Sequence, residues 1–191
     1  MPSVHERNGH DLQALFVDRD GVLNRLRPDH VKTWAEFDFL PGALGALAEL
    51  RRMGVRMVVI TNQSAVGRGL LTLGELHSLH ARMMAAIADA GGDIEAVYAC
   101  PHAPEERCRC RKPGTQLLIR VGCELGLRLD QSVMIGDSWS DVIAARGVGC
   151  RPILIDGRGS RKWADDPPVV ASLGEAVDLV VEWRQEHAEG C

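Results

Sequence analysis

Leu15-Phe16-Val17-Asp18-Arg19-Asp20-Gly21-Val22-Leu23-Asn24 is the stretch on which the reading of this chain turns. An apolar run ends abruptly in Asp-x-Asp-Gly. Two apart in extended chain, Asp18 and Asp20 share one face. Their carboxylate oxygens suit a hard cation such as Mg2+, and a carboxylate can also act as a phosphoryl-accepting nucleophile. A plain strand running into an Asp/Gly turn fits the same residues, so the remainder of the chain decides.

Outward from this segment, apolar strand-like runs alternate with helix-like stretches. Strands are expected at residues 14–18, 55–61, 94–99, 132–135 and 152–155. Helices are expected at 43–53, 72–90, 116–125, 141–146 and 173–186. The 72–90 helix opens on a capping box, Thr72-x-x-Glu75, carries an apolar stripe of Leu73, Leu76, Leu79, Met83 and Ile87, and stops at Gly91-Gly92. Continuous apolar strands alternating with helices imply an α/β fold: a doubly wound parallel sheet with helices on both faces. Ligands of such sheets bind beyond the carboxyl ends of the strands. The polar punctuation falls there: Asp18, then Thr61-Asn62-Gln63-Ser64, then Cys100 with its loop to Arg111-Lys112-Pro113, then Gly136-Asp137-Ser138.

That rim offers carboxylates (Asp18, Asp20, Asp137), a hydroxyl (Thr61), an ammonium (Lys112), a guanidinium (Arg111) and glycines for close approach. No Ser-His-Asp order, no G-x-x-x-x-G-K-[ST] and no G-x-G-x-x-G occurs. A phosphate monoester dianion on Mg2+ would use this inventory, with metal and Lys112 neutralising its oxygens, Thr61 donating a hydrogen bond and a carboxylate attacking in line. Asp18-x-Asp20-Gly21, Thr61, Lys112 and Gly136-Asp137-x-x-x-Asp141, in this order over residues 14–155, resemble the four motifs of the haloacid dehalogenase superfamily. The resemblance implies a Rossmann-like domain with Asp18 as nucleophile and Asp20 as proton donor and then base. It further implies Mg2+ held by Asp18, Asp137 and the Asp20 backbone carbonyl, Thr61 and Lys112 on the phosphoryl group, and Asp141 orienting its neighbours. Asp20 must be protonated in the first step, so its pKa is expected to be raised in the complex.

Cys100-Pro101-His102-x5-Cys108-Arg109-Cys110 supplies three thiols and an imidazole in one short loop, a donor set that suits tetrahedral Zn2+. Four protein ligands leave no open position, so the site reads as structural. It would position the adjacent Arg111 and Lys112. The stretch from Asn24 to Pro41 is too short for a cap domain, so the fold is expected to be nearly capless.

The zinc loop with Thr61-Asn62-Gln63-Ser64 and Asp18-Arg19-Asp20-Gly21-x-x-Asn24 is similar to the D-glycero-D-manno-heptose 1,7-bisphosphate 7-phosphatase family. The histidinol-phosphate phosphatase domain shares the zinc loop and the Asp-Arg-Asp-Gly start and stands as the alternative. The resemblance implies sugar or second-phosphate contacts for Arg111, Asn62, Gln63 and Ser64, and Arg68 is a further candidate anion contact. Two departures lie in the specificity loops: Ala65-Val66-Gly67, and Arg25-Leu26-Arg27-Pro28-Asp29-His30 in place of the family's Gly-Tyr-Val stretch. Phosphotransfer to another acceptor, and a non-catalytic zinc-stabilised binding module, remain as other readings; the complete acid set argues against the module.

At 191 residues and 46% hydrophobic, the chain is expected to form one phosphatase domain, with residues 1–11 a loose lead-in and 100–110 the zinc loop. A net charge of −4 gives no footprint for nucleic acid, and no apolar run approaches the roughly 20 residues that span a bilayer. A cytoplasmic protein is therefore expected, and the family resemblance implies an enzyme, taken as monomeric, acting on a small sugar phosphate. His77 and His80 read as surface or core-edge residues, Cys123 and Cys150 as small buried hydrophobes, and Trp34, Trp139, Trp163 and Trp183 as packing residues, with Trp139 close to Asp137. Cys191 has no evident role, and residues 156–168 read as a loop.

Overall fold

The computed structural model describes residues 12–156 and 167–188. The 1–11 lead-in, Trp163, Cys191 and most of the 156–168 loop lie outside the described residues.

Six strands form one parallel sheet in the order β3-β2-β1-β4-β5-β6: β1 Ala14–Val17, β2 Met57–Asn62, β3 Ala96–Cys100, β4 Ser132–Gly136, β5 Arg151–Ile155 and β6 Val169–Val170. All four β1 residues are fully buried. The chain leaves β1 for β2 on one side and reaches β4 on the other, so the strand order reverses between β1 and β4. A crevice opens at such a switch point beyond the carboxyl ends. Asp18 and Asp137 follow these two neighbouring strands directly.

Period-two alternation sends Leu15 and Val17 to one face of the sheet and Ala14 and Phe16 to the other. The first face packs against α1 (Ala43–Arg52), α3 (Leu73–Asp89) and α6 (Leu173–Ala188). The second packs against α4 (Gln116–Leu125), α5 (Trp139–Arg146) and the cysteine loop. Phe16 sits at the centre of that second core, and Phe16→Ala would cost about 3–5 kcal/mol in lost burial and cavity.

The α3 capping box forms, with Glu75 N donating to Thr72 Oγ1 (3.2 Å) and Thr72 N to Glu75 Oε2 (2.6 Å). Its stripe is shifted from expectation. Leu73 at the first turn is exposed, while Leu76, Leu79, Met83 and Ile87 are buried and His80 joins them. Position 80 lies four after Leu76 and three before Met83, so it falls on the buried face. Cys150 is buried as expected, but Cys123 lies on the solvent side of α4 and is exposed.

Strand 2 begins two residues later than expected because the residues before Met57 turn out of α1, with Val55 N bonded back to Leu50 O (3.0 Å). Short elements add to the expected set: β6, the single-turn α2 (Ser64–Gly67) and 3-10 turns at Trp34–Glu36, Pro104–Glu106 and Leu129–Gln131. Residues 18–42 hold only a one-turn 3-10 helix (Trp34–Glu36) and isolated bridges, so no cap domain is inserted there. Among the described residues, no helix is long and apolar enough to cross a membrane.

Candidate active site

The turn after β1 is wound around one carbonyl. Arg19 O accepts from the amides of Val22, Leu23 and Asn24 (3.4, 2.8 and 3.1 Å). Gly21 sits at φ +86°, and a Cβ there would run into the Asp137 carboxylate. Glycine thus serves both the left-handed backbone and the approach of β4's acid to β1's.

Asp18 is held at Oδ1 by the Arg19 amide (2.7 Å) and by Lys112 Nζ (3.0 Å). Lys112 is buried and also meets Asp141 (2.5 Å) and Ile60 O (2.7 Å). Its peptide is clamped by Asn62, which donates to Lys112 O (3.1 Å) and accepts from Lys112 N (3.0 Å). Asn62 therefore spends its amide on Lys112, although it lines the cavity.

Burial pulls the Lys112 pKa down, but Asp18 and Asp141 outweigh that and raise it. Burial pushes Asp18 up, Lys112 counteracts, and the nearby Asp141 and Asp20 charges add to the rise, leaving it at about 7. Asp137 is pushed to about 6 by burial and by Asp141.

Asp20 is shifted the opposite way from Asp18 and Asp137 in the unliganded site. Burial pushes it up, but the Arg19 charge and hydrogen bonds from Arg19, Asn24 and Gln63 outweigh burial and hold it below its usual value. Arg19 Nη2 grips both carboxylate oxygens (3.0 and 2.8 Å), Asn24 Nδ2 donates to Oδ1 (2.9 Å) and Gln63 Nε2 to Oδ2 (2.6 Å). Gln63 also donates to Thr61 Oγ1 (2.8 Å), which leaves the Thr61 hydroxyl proton free to point elsewhere.

These groups line a cavity of about 260 Å³ together with Ser64, Arg111, Ser138, Ser140, Leu26, Arg27, His30 and Val31. Asp18, Asp20, Thr61, Asn62, Gln63, Ser64, Arg111, Lys112 and Asp137 are thus brought together as the sequence suggests. Arg68 is not: it is exposed and pairs with Glu105 (3.3 Å). Trp139 is 44% exposed and does not line the cavity, whereas its neighbours Ser138 and Ser140 do. Sequence reasoning gave no site role to Arg19 or His80, and marked Arg27 and His30 only as part of a divergent specificity loop. His30 sits at φ +64°, a conformation unusual for a non-glycine residue.

The donor chemistry suits a divalent cation. Oxygens of Asp18, Asp137 and Asp141 lie within 4.8 Å of one another. Asp141 is already committed to Lys112 and, through Oδ2, to Ser138 N and Oγ (3.1 and 2.6 Å). Asp18 and Asp137 are left as the pair whose pKa values stay raised even with Lys112 nearby, and a divalent cation between them would favour their charged forms.

The cysteine loop suits zinc. The Sγ atoms of Cys100, Cys108 and Cys110 are 3.3–3.5 Å apart without forming disulfides, and His102 Nδ1 is 3.2 Å from Cys110 and 3.5 Å from Cys100. A tetrahedron with ~2.3 Å Zn–S arms has edges of about 3.8 Å.

The parallel sheet with acids at the ends of β1 and β4 and a lysine between them defines a hydrolase of the haloacid dehalogenase type, and a HAD-hydrolase-like family model matches residues 109–176. The D-glycero-beta-D-manno-heptose-1,7-bisphosphate 7-phosphatase of Pseudomonas aeruginosa is 39% identical over 77% of this chain and 83% of its own. The D-glycero-alpha-D-manno-heptose-1,7-bisphosphate 7-phosphatase of Mycobacterium tuberculosis is 38% identical over 85% of this chain and 88% of its own. The crystal structure of D,D-heptose 1,7-bisphosphate phosphatase from B. bronchiseptica, complexed with magnesium and phosphate, superposes with a TM-score of 0.81 at 31% identity, over 88% of this chain and 98% of that one. The chain belongs to the heptose 1,7-bisphosphate 7-phosphatase family of haloacid dehalogenase-type phosphatases.

Proposed function

We propose that this chain removes the 7-phosphate of D-glycero-D-manno-heptose 1,7-bisphosphate in a Mg2+-dependent reaction, as one phosphatase domain. The observation that carries this reading is the Asp18 carboxylate, fixed by the Arg19 amide and Lys112 in a cavity it shares with Asp20, Thr61 and Asp137.

Both hydrogen bonds to Asp18 fall on Oδ1, which leaves Oδ2 as the attacking oxygen. Bound between Asp18, Asp137 and the Asp20 backbone carbonyl, Mg2+ would neutralise charge on the carboxylates and on the phosphoryl oxygens. Thr61 donates its free hydroxyl proton to the phosphoryl group and Lys112 supplies a fixed positive charge. The arriving dianion places like charge beside Asp20 and raises its pKa, so Asp20 takes up a proton. Asp18 then forms a bond to phosphorus, the bond to the sugar oxygen breaks, and that oxygen takes the Asp20 proton. In the second half Asp20 accepts a proton from water as the water oxygen attacks phosphorus, which releases phosphate and restores Asp18.

Arg111 and Arg27 both line the cavity, Arg27 while paired with Asp29 (3.1 Å), and we take their guanidiniums as the groups that receive a second phosphate. Histidinol phosphate carries cationic groups at its far end instead, which these guanidiniums repel. The relatives include enzymes named for each anomer at nearly equal identity, so we place the choice of anomer in the 25–30 loop, where this chain departs from the family. The zinc loop's three thiols need a reducing compartment, which favours the cytoplasm, and we take the enzyme to be monomeric. A side-by-side kcat/KM comparison of both heptose bisphosphate anomers and histidinol phosphate tests the reading. A preference of at least about tenfold for one bisphosphate is expected, and equal or faster turnover of histidinol phosphate would overturn it.

A further inference from the structure

Arg19 stands between the two catalytic acids and points the other way. Strand parity puts Asp18 and Asp20 on one side of the chain and Arg19 on the side of Leu15 and Val17, toward α1 and α3. There it is the largest fully buried side chain of the described residues, 1% exposed. Its guanidinium makes three side-chain hydrogen bonds: two from Nη2 to the Asp20 carboxylate and one between Nη1 and His80 Nε2 (3.2 Å). Nε is buried without a partner, and the Phe37 ring lies 5.8 Å from the guanidinium carbon. Away from Asp20, His80 is thus the only hydrogen-bond partner of this head group among the described residues.

We propose that His80 and Arg19 are positioning residues for proton transfer: His80, from the buried face of α3, fixes the Arg19 fork, and the fork aims Asp20 at the oxygen that leaves phosphorus. This rests on the reading of Asp20 as the proton donor. Nη2 alone meets both oxygens of the carboxylate and restrains it, while Nη1 is held by His80, and an acid must lie within hydrogen-bond reach of the atom it protonates. His80 can accept from Arg19 only while neutral. Burial and the Arg19 charge push its pKa down to about 3, so it stays an acceptor throughout the working range. The hydrogen bond runs from Arg19 Nη1–H to Nε2, which places the imidazole proton on Nδ1. The device links a helix on the far side of the sheet to the donor without any contact between that helix and the substrate.

The test uses leaving groups. As P–O breaks, the electron pair stays on the departing oxygen. An alkoxide needs the Asp20 proton, whereas p-nitrophenolate leaves well without it. Since kcat/KM reports only steps up to that departure, the ratio of kcat/KM on the heptose bisphosphate to that on p-nitrophenyl phosphate isolates donor placement.

His80→Leu keeps volume and removes the acceptor, and is expected to lower the ratio about tenfold or more, within the 10²–10⁴ that acid catalysis contributes. His80→Gln, whose amide oxygen can take the place of Nε2, should restore most of it. If His80→Leu does not fold, Arg19→Lys provides the same readout: it keeps a charge near Asp20 but loses the fork. An unchanged ratio in a folded His80→Leu or Arg19→Lys protein would overturn the inference, even with both rates lowered together. A wild-type protein that hydrolyses neither ester would instead overturn the phosphatase reading beneath it.

Discussion

Lys112→Met separates the electrostatic role of this lysine from its bulk. Methionine occupies much the same volume, so little cavity remains. What disappears is, among the described residues, the only positive charge bonded to the Asp18 and Asp141 carboxylates, at 3.0 and 2.5 Å, and the donor to Ile60 O at 2.7 Å. The lysine side chain and that of Asp141 are each 1% exposed, so water cannot replace the lost partner. Stranding a buried charge in this way costs about 3–5 kcal/mol. In a domain of this size 1 kcal/mol moves Tm by about 2–4 °C, so a fall of roughly 6–20 °C is expected in magnesium-free buffer. Adding Asp141→Asn removes one stranded acid and should return on the order of 2 kcal/mol. Both proteins should lose at least about 10²-fold in kcat/KM with magnesium present, since the phosphoryl group loses a fixed cation. Melting followed by circular dichroism reads the first effect and steady-state kinetics the second. A single variant melting within about 2 °C of wild type, or a double variant less stable than the single one, would refute the reasoning.

Magnesium should stabilise the protein increasingly as pH rises. Asp18 and Asp137, raised to about 7 and about 6 when folded, bind more protons folded than unfolded, so the metal-free protein loses stability from about pH 4 to 7. Magnesium at about 100 Kd adds about 2.7 kcal/mol, or roughly 5–11 °C in Tm, near neutral pH; a shift independent of pH over this range would contradict the assignment. Cys110→Ser should reduce bound zinc from about one per chain to a small fraction by elemental analysis, and lower kcat/KM by displacing Arg111 and Lys112; full zinc content would contradict the ligand set. Arg27→Ala should raise KM for the bisphosphate by about tenfold and leave KM for a phosphate ester with no second anion unchanged, because a lost charged hydrogen bond is worth about 1.5–3 kcal/mol. Equal effects on both substrates would remove Arg27 from second-phosphate binding.

The sheet was legible because its strands are uninterrupted apolar runs, each ending at polar residues that the fold collects on one rim. The converging set from Asp18 to Asp137 could be placed from order and spacing alone. Arg68 could not: nothing local distinguishes a guanidinium aimed at a cavity from one paired with Glu105 across the surface. Leu73 fits a helical stripe by spacing but sits on the first turn, beyond the reach of the core. Arg19 and His80 left signals that were passed over. A charged residue on the parity of Leu15 and Val17 must enter the core, and a histidine between Leu76 and Met83 lies on the same buried face. Their meeting depends on how α3 packs on the sheet, which local sequence does not state. The lowered pKa of Asp20 follows from Arg19, Asn24 and Gln63 closing on one carboxylate, a convergence that spacing along the chain does not state.

The central claim is that phosphorus passes through Asp18. Asp20→Asn protein mixed with p-nitrophenyl phosphate and magnesium should release phenolate yet lack the base that frees the enzyme, so acid quenching and peptide mass mapping should find one phosphoryl group on the peptide containing Asp18. The same experiment with Asp18→Asn should give neither product nor adduct. An unmodified Asp18 peptide, together with wild-type turnover by Asp18→Asn protein confirmed undeamidated, would contradict the account.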